Sequence, residues 1–279
     1  MPQAAGKSVL RFKGVSLFFE GAAALQDVSF EVTEGQTRIL FGSAGSGKTV
    51  LLKVALGLLK PSVGSVYVFG QEITDFREED LYEVRSRIGM LFQESALFDS
   101  MTIAENVAYP LLNQKSISVP PEEVMPRVEQ ALRFVELEHT LDKFPSELSG
   151  GMRRRVAIAR AVVTEPPLLL YDSPTAGLDP ITANTIMALI VKERDLSNAT
   201  TLIVTHRYQD ANLVAKFRYN RDLASLEPVL NGNSGPGGGT AHRTVFMIMQ
   251  DGRLIFEGSQ GDLEASTDPY ITKFVRRVH

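Results

Sequence analysis

RILFGSAGSGKT, residues 38–49, joins a short apolar stretch to a glycine-rich turn, and residues 50–59 continue it with the pattern of a buried helix. A strand, a loop and a helix in this order are typical of a phosphate-binding loop. The three loop glycines let the backbone curl so that successive N–H groups point at phosphate oxygens. Lys48 brings a positive charge and Thr49 a hydroxyl of the kind that Mg²⁺ accepts. The segment therefore predicts nucleotide binding, and an ordinary glycine-rich turn is the weaker interpretation because the flanks and the glycines agree.

We expect the nucleotide to contact the whole loop and the residue after it. These residues are Gly42, Ser43, Ala44, Gly45, Ser46, Gly47, Lys48, Thr49 and Val50.

Composition excludes several other classes of function. The 279 residues carry 29 Lys and Arg against 33 Asp and Glu, a net charge of −4, which does not favour non-specific nucleic-acid binding. The chain has no cysteine, so disulfides and thiolate metal sites are excluded, and its four histidines are too scattered to indicate zinc. We expect no signal peptide, because the first 14 residues contain no apolar core segment, and no run approaches about 20 apolar residues. Any action on a membrane would therefore need a partner.

Apolar runs alternate between strand and helix patterns along the chain. This alternation predicts an α/β core with a mostly helical insertion between Gln93 and Pro166. We predict one domain, residues 1–279, with a core at 1–94 and 166–257 and a helical subdomain at 95–165. A flexible insertion is expected at 216–243, where the low-complexity stretch NGNSGPGGG lies, and an amphipathic tail at 258–279. Strands are expected at residues 9–12, 28–32, 38–41, 65–69, 88–92, 168–171, 201–204, 245–249 and 254–256, and a helix at 181–195.

Five further motifs follow the loop in a fixed order: Gln93, LSGGM at 148–152, LLLYD at 168–172, AGLDP at 176–180 and His206. With them the sequence resembles the ATP-binding-cassette (ABC) ATPases along essentially its whole length. The resemblance implies a P-loop NTPase fold of the α/β class. It has a RecA-like, mostly parallel sheet, an N-terminal antiparallel β region and a helical signature subdomain.

The resemblance also implies roles for single residues. ATP and Mg²⁺ are the expected ligands, and Thr49, Gln93 and Asp172 are the residues expected at the Mg²⁺ site. Gln93 would sense Mg²⁺ and the attacking water, and His206 would contact the γ-phosphate. Phe19 matches the aromatic residue that stacks on adenine, although Phe18 remains an alternative and a core role is the simpler reading of either residue alone.

A second anion site is expected at Ser149, Gly150 and Gly151. Ser149 is positioned to cap a helix there, which exposes N–H groups at the positive end of the helix dipole. In the family this site meets the γ-phosphate held by the other subunit, so a head-to-tail homodimer enclosing two ATP molecules is implied. For the neighbouring arginines 153–155, a solvated or ion-paired helix face is favoured over phosphate contacts.

Ser173 departs from the family pattern. In the family, LLLYD corresponds to the Walker B strand, and a glutamate that polarises the attacking water usually follows its aspartate, here Asp172. A serine hydroxyl does not take up a proton at neutral pH, so we expect firm ATP binding with slow hydrolysis. Glu94 is a candidate compensating carboxylate from adjacency alone, and an introduced trapping substitution at position 173 is the other explanation.

Three stretches look like the ATPases of MCE-associated (Mla-type) systems, which move phospholipid or other hydrophobic molecules. They are residues 92–111, 145–152 and 268–275. The resemblance implies an integral-membrane permease, an MCE-type substrate-binding protein and a small accessory subunit as partners, with no nucleic acid. It places the chain peripherally on the cytoplasmic face of the inner membrane.

Several alternatives stay open. They are an ATP-gated clamp with negligible turnover, an ATPase of a different ABC importer, and a soluble ABC protein acting on nucleic acid or ribosomes. The tail's apolar stripe fits packing on its own domain and an intersubunit role equally well.

Overall fold

A computed structural model describes residues 6–114, 116–229 and 244–275. Within these ranges the strands are β1 Ser8–Phe19, β2 Ala22–Thr33, β3 Thr37–Gly42, β4 Val63–Val68, β5 Gln71–Glu72, β6 Ile88–Leu91, β7 Leu168–Asp172, β8 Thr200–Val204, β9 Phe217–Asn220, β10 Ser225–Pro228, β11 Thr244–Gln250 and β12 Arg253–Gly258. The α-helices are α1 Lys48–Ala55, α2 Glu78–Ser86, α3 Ile103–Asn113, α4 Pro121–Phe134, α5 Gly150–Val162, α6 Pro180–Ser197, α7 Tyr208–Lys216, α8 Gln260–Ala265 and α9 Pro269–Val275.

The central sheet has the strand order β12-β11-β3-β8-β7-β6. Its strands are parallel except β12, which forms an antiparallel hairpin with β11. Every residue of β3, β7 and β8 is buried, as expected for parallel strands covered on both faces. The carboxyl ends of these three strands meet at one edge of the sheet, which is where parallel α/β sheets bind ligands. The phosphate-binding loop, Asp172 and the segment leading to His206 therefore lie together.

A second, antiparallel sheet covers one face of the central sheet, with the order β2-β1-β4-β5. The protein has two hydrophobic cores, one on each face of the central sheet, and alternate side chains of β3 point into one or the other. Leu40 packs with the second sheet and α1, whereas Ile39 and Phe41 pack with helices α3 to α7. These observations confirm the predicted α/β class, the mostly parallel core and the N-terminal antiparallel region.

Helix α1 is shorter than predicted and ends at Ala55 rather than near residue 59. Gly57 adopts φ +64°, and its N–H donates to Val54 O (3.0 Å) while that of Leu58 donates to Lys53 O (2.8 Å). This pair of bonds is a Schellman motif, which ends a helix at a glycine. Gly57 was the sequence signal for this boundary.

Other parts of the fold were also not predicted, among them helix α7. Helix α2 was missed. Within the predicted flexible insertion, 216–243, strands β9 and β10 form an antiparallel hairpin in which Arg218 pairs with Glu227. The remainder of that insertion, residues 230–243, lies outside the described residues. Within the described ranges, no helix combines the length and the apolar character required to cross a bilayer.

Candidate phosphate-binding site

Backbone from two other strands closes in the two ends of the glycine-rich loop, Gly42 and Gly47. A Cβ on Gly47 would lie 2.5 Å from the carbonyl oxygen of Ala24, and Gly47 has φ +100°. A Cβ on Gly42 would lie 2.7 Å from the carbonyl oxygen of Met249. Glycine is therefore required at both positions, for space and, at Gly47, for conformation. The turn delivers the chain directly into α1, whose first N–H groups face the loop.

Lys48 is held against the loop that it follows. Its Nζ donates to the carbonyl oxygens of Gly42 (2.8 Å) and Ser43 (2.7 Å) and to Ser46 Oγ (3.1 Å). Burial lowers the pKa of Lys48, and the nearby Asp172 carboxylate partly opposes this. The ammonium group thus lies among oxygen acceptors, in position to exchange them for phosphate oxygens.

Two oxygen groups suited to Mg²⁺ meet beside the lysine. Thr49 Oγ1 donates to Asp172 Oδ2 at 2.8 Å, and Asp172 is only 2% exposed. A hydroxyl and a carboxylate are hard oxygen ligands of the kind that Mg²⁺ binds in nucleotide sites. The residues present therefore fit the metal. Gln93, the third predicted metal-side residue, is exposed in the turn after β6, two residues beyond the point where Leu91 pairs with Tyr171.

Ser173 follows Asp172 in a left-handed backbone conformation, with φ +50°. Its N–H donates to Val204 O (2.9 Å), and its hydroxyl donates to Asp172 Oδ1 (3.1 Å). The side chain at this position is therefore neutral and bonded to the Walker B carboxylate. This hydroxyl is poorly suited to accept a proton from water.

Asp210 links the two segments that leave the carboxyl ends of β7 and β8, and the sequence analysis missed it. Its carboxylate accepts from the hydroxyls of Thr175 (2.5 Å) and Thr205 (2.9 Å) and is 2% exposed. Burial raises the pKa of Asp210, while the two threonine hydroxyls act in the opposite direction. Because Thr205 immediately precedes the exposed His206, Asp210 fixes the backbone that carries this histidine.

The residues predicted to form a second anion site lie at the start of α5. Ser149 Oγ accepts from the N–H of Met152 at 3.2 Å, as a helix N-cap does. Ser149 and Gly150 are exposed, and a Cβ on Gly150 would meet only the end of the Arg153 side chain, 4.0 Å away. Gly151 is closely packed, since its Cβ would lie 2.5 Å from Thr182 Cγ2.

The interpretation of the arginines 153–155 as a solvated or ion-paired face is wrong for Arg154. This residue is 6% exposed, and its guanidinium donates to the carbonyl oxygens of Phe92 (3.0 Å) and Gln93. Desolvation lowers the pKa of Arg154, and the charges of Glu94 and Asp172 partly restore it. Arg154 therefore connects helix α5 to the backbone at Gln93 by hydrogen bonds. Its neighbour Arg153 also bonds backbone, donating to Leu148 O at 2.5 Å.

The two candidate adenine-stacking residues lie at the end of β1. Phe18 and Phe19 are each 46% exposed. Consecutive residues of a strand face opposite sides, so only one of them can stack on a given ring. Phe19 stays the predicted one.

Comparisons with known proteins agree with this geometry. A family model described as "ABC transporter" matches residues 25–176. The probable ribonucleotide transport ATP-binding protein mkl of Mycobacterium leprae is 38% identical over 205 residues, which cover 74% of this chain and 58% of that protein. The methionine import ATP-binding protein MetN 2 of Bacillus cereus is 38% identical over 202 residues, covering 71% of this chain and 59% of that protein. The chain thus spans less than two thirds of the length of these relatives.

Solved structures give the same result. The dimeric post-hydrolysis state of the ATP-binding cassette MJ0796 bound to ADP and Pi has a TM-score of 0.74 and 29% identity, covering 90% of this chain and 98% of that chain. CbiO1 from Clostridium perfringens, part of the ABC transporter complex cbiONQ, has a TM-score of 0.75 and 27% identity, covering 93% and 92% of the two chains. By family model, sequence and structure, the chain belongs to the ABC transporter family.

Proposed function

We propose that this chain is the ATP-binding and ATP-hydrolysing subunit of an ABC transporter, acting as a homodimer around two Mg²⁺–ATP. The observation that carries the proposal is the meeting of Lys48, Thr49 and Asp172 at one enclosed glycine loop. The lysine binds the terminal phosphates, and the helix dipole of α1 adds to the attraction. When bound, Mg²⁺ neutralises phosphate charge, with Thr49, Asp172 and Gln93 to hold it.

The exposed start of α5, Ser149 and Gly150, supports the proposed dimer. Ser149 and Gly150 offer a capped helix N-terminus without a partner from their own phosphate loop, which suits a phosphate presented by a second copy. The similar MJ0796 cassette has been solved as a dimer.

Hydrolysis is slow in this proposal, because Ser173 stands where a carboxylate is needed. Phosphoryl transfer depends mainly on positioning and charge stabilisation, which Lys48, Gln93 and His206 supply. Loss of the general base leaves those contributions in place but removes about 10²–10⁴ in rate. Ser173 also supports a second candidate function, an ATP-gated clamp with negligible turnover.

A groove beside Gln93 supports docking of a membrane permease. A cavity of about 410 Å³ lies between β6, α3 and α5, and its lining includes Phe98, Tyr109 and Arg160. Phe98 and Tyr109 are 39% and 37% exposed, with ring centroids 4.7 Å apart. Arg160 donates to the carbonyl oxygens of Ser95 (2.8 Å) and Ala96 (2.7 Å), so the rim of the groove is connected to the chain after Gln93. A helix of the permease seated here would communicate with the nucleotide site, and the chain would then lie peripherally on the cytoplasmic face of the membrane.

The proposed cargo is phospholipid or another hydrophobic molecule, carried by an MCE-associated permease with a substrate-binding protein and a small accessory subunit. Its support is the resemblance of residues 92–111, 145–152 and 268–275 to that subfamily. The names of the similar mkl and MetN proteins refer to ribonucleotide and methionine, so a different ABC importer is the alternative.

Affinity purification of the full chain from detergent-solubilised membranes tests the assignment. We expect an integral-membrane permease to co-purify and to be lost with Phe98→Glu, which places a charge in the groove. The control Tyr82→Phe alters an exposed residue on α2 and should retain the permease. Lipid found by mass spectrometry in the complex would support the proposed cargo. Recovery of ribosomes or nucleic acid in place of a permease would contradict the transporter assignment.

A further inference from the structure

The C-terminal segment, residues 259–275, contacts the phosphate-binding loop directly. The hydroxyl of Tyr270, on α9, accepts a hydrogen bond from the N–H of Ser43 at 3.1 Å. Its single proton is shared between two acceptors, Ser43 Oγ at 3.0 Å and the carbonyl oxygen of Met249 at 3.2 Å. One phenol therefore joins the second residue of the loop to the end of β11.

The packing of α8 and α9 fixes the position of this phenol. The rings of Tyr270 and Phe274 meet edge to face with centroids 5.3 Å apart. The ring centroid of Phe274 lies 6.0 Å from that of Phe41, at the end of β3. Leu263 and Ile271 are buried in the main core. The segment thus packs on its own domain, which is one of the two roles that the tail's apolar stripe allowed.

A second contact joins the same segment to the helix that follows His206. Tyr208 donates to Glu264 Oε1 at 2.6 Å, and Gln260 Nε2 donates to Asn212 Oδ1 at 2.9 Å. Burial, with the Glu264 contact, raises the pKa of Tyr208 to about 12, so this hydroxyl stays protonated and remains a donor at neutral pH. The segment is therefore held at two points and delivers Tyr270 in one orientation.

Ser43 connects this contact to the phosphate-binding lysine. The N–H of Ser43 bonds to Tyr270, and its carbonyl oxygen accepts from Lys48 Nζ at 2.7 Å. Ser43 is exposed, so without Tyr270 its N–H would bond to water and the loop would have more conformations available. A loop that is already ordered loses less entropy when it binds a ligand.

We propose that Tyr270 is a positioning residue of the nucleotide site, through which the C-terminal segment holds the phosphate-binding loop in its ATP-binding conformation. The inference rests on the proposed binding of Mg²⁺–ATP. It assigns to the C-terminal segment a role in nucleotide affinity.

The test is Tyr270→Phe, which removes the hydroxyl and keeps the ring that packs on Phe274. Calorimetry with Mg²⁺–ATP on the full chain should show a Kd about three- to tenfold weaker, the range expected for one lost hydrogen bond. The KM of any ATPase activity should rise similarly with little change in kcat. The melting temperature without nucleotide should stay close to that of Tyr82→Phe, a matched change at an exposed tyrosine on α2.

The outcomes separate this inference from the function on which it rests. A wild-type chain that binds no Mg²⁺–ATP contradicts the proposed function itself. A wild-type chain that binds, with an unchanged or tighter Kd in Tyr270→Phe, overturns only the role of Tyr270. A lower melting temperature with unchanged Kd shows that the contact serves folding alone, which also overturns it.

Discussion

A helix N-terminus with serine and glycine around its first residues occurs twice in this molecule, at α1 and at α5, and the surroundings of the two differ. At α1 the loop is closed in by the backbone at Ala24 and Met249, and its lysine is bonded to loop oxygens. At α5 the N-cap Ser149 and the following Gly150 are exposed, and a Cβ on Gly150 would meet nothing closer than 4.0 Å.

The comparison indicates which step, nucleotide binding or dimer formation, a single chain has the groups to carry out. The enclosed site has the ammonium group of Lys48, space lined by glycine, and the paired hydroxyl and carboxylate of Thr49 and Asp172. A single chain therefore carries the groups needed to bind the nucleotide. The open site offers N–H groups, the Ser149 hydroxyl and a helix dipole, which are worth little until another chain brings a phosphate to them. We therefore expect a monomer to bind Mg²⁺–ATP, whereas the sandwiched state of the proposed dimer requires two copies.

The largest effect is expected at Ser173, which is bonded to Asp172 beside the phosphate-binding loop. Ser173→Glu restores a carboxylate beside Asp172, and the ATPase rate should rise about 10²-fold or more because a general base contributes that much. Steady-state phosphate release with the membrane partner present is the measurement. Ser173→Gln, similar in size and neutral, is the control and should give no acceleration. Equal rates for wild type and Ser173→Glu would show that this position does not limit hydrolysis.

A charge at the open site tests the division between monomer and dimer. Ser149→Asp keeps a good N-cap but puts a negative charge where the partner's phosphate should arrive. We expect the dissociation constant of the ATP-dependent dimer to rise at least about tenfold, since like charges brought together across an interface cost several kcal/mol. Mg²⁺–ATP binding to the monomer should change little.

Sedimentation in Mg²⁺–ATP measures the dimer, and Ser149→Asn supplies a neutral cap for comparison. Dimerisation of Ser149→Asp as strong as that of the asparagine variant would exclude the open site from the interface.

Alanine at two glycines separates the enclosure of the phosphate-binding loop from its conformation. Both Gly45 and Gly47 have positive φ, but a Cβ on Gly45 meets nothing within 4 Å, whereas on Gly47 it lies 2.5 Å from Ala24 O. Gly45→Ala should lower the free energy of unfolding by about 1–2 kcal/mol, the conformational cost alone. Gly47→Ala should cost about 1–3 kcal/mol more, because overpacking adds to it. Urea unfolding of the two variants checks the difference, and equal losses would mean that the loop is not enclosed.

The smallest effect is expected at the opposite edge of the sheet, away from both helix N-termini. Glu193, on α6, is 8% exposed and lines a cavity with Pro167 and Thr200, which precede or begin β7 and β8. Burial raises the pKa of Glu193 from 4.5, so the folded state keeps a proton that the unfolded state has already lost. Stability therefore falls as pH rises from about 4.5 towards the folded-state pKa.

Glu193→Gln should remove this loss of stability at high pH, because glutamine stays uncharged. Its melting temperature should exceed that of wild type at pH 8, and the difference should shrink towards pH 4.5. Nucleotide affinity should not change. A difference independent of pH would mean that Glu193 is not the group responsible.

The features predictable from sequence were those with a local signal. The loop glycines, the Ser149 cap and the buried strands each follow from spacing and residue type over a few positions. The short end of α1 also had a local signal, Gly57, that was overlooked. The hairpin β9–β10 lacked a strong one, because half-buried short strands with charged residues resemble a loop in sequence.

The missed contacts of the site join residues far apart in the chain. Tyr270 and Ser43 are 227 positions apart, and Arg154 reaches the carbonyl oxygen of Phe92, 62 positions away. Arg154 in particular looks like part of a charged helix face, since a run of three arginines gives no indication of which one is buried. Such contacts depend on how the elements pack, which short-range periodicity does not encode.

Isothermal titration of the intact chain with Mg²⁺–ATP tests the central claim most directly. The enclosed loop predicts measurable heat of binding, and Lys48→Ala should weaken the affinity by about 10- to 100-fold, the effect of losing a hydrogen bond from a charged group. Absence of binding heat with the intact chain, or the same affinity after Lys48→Ala, would contradict the account.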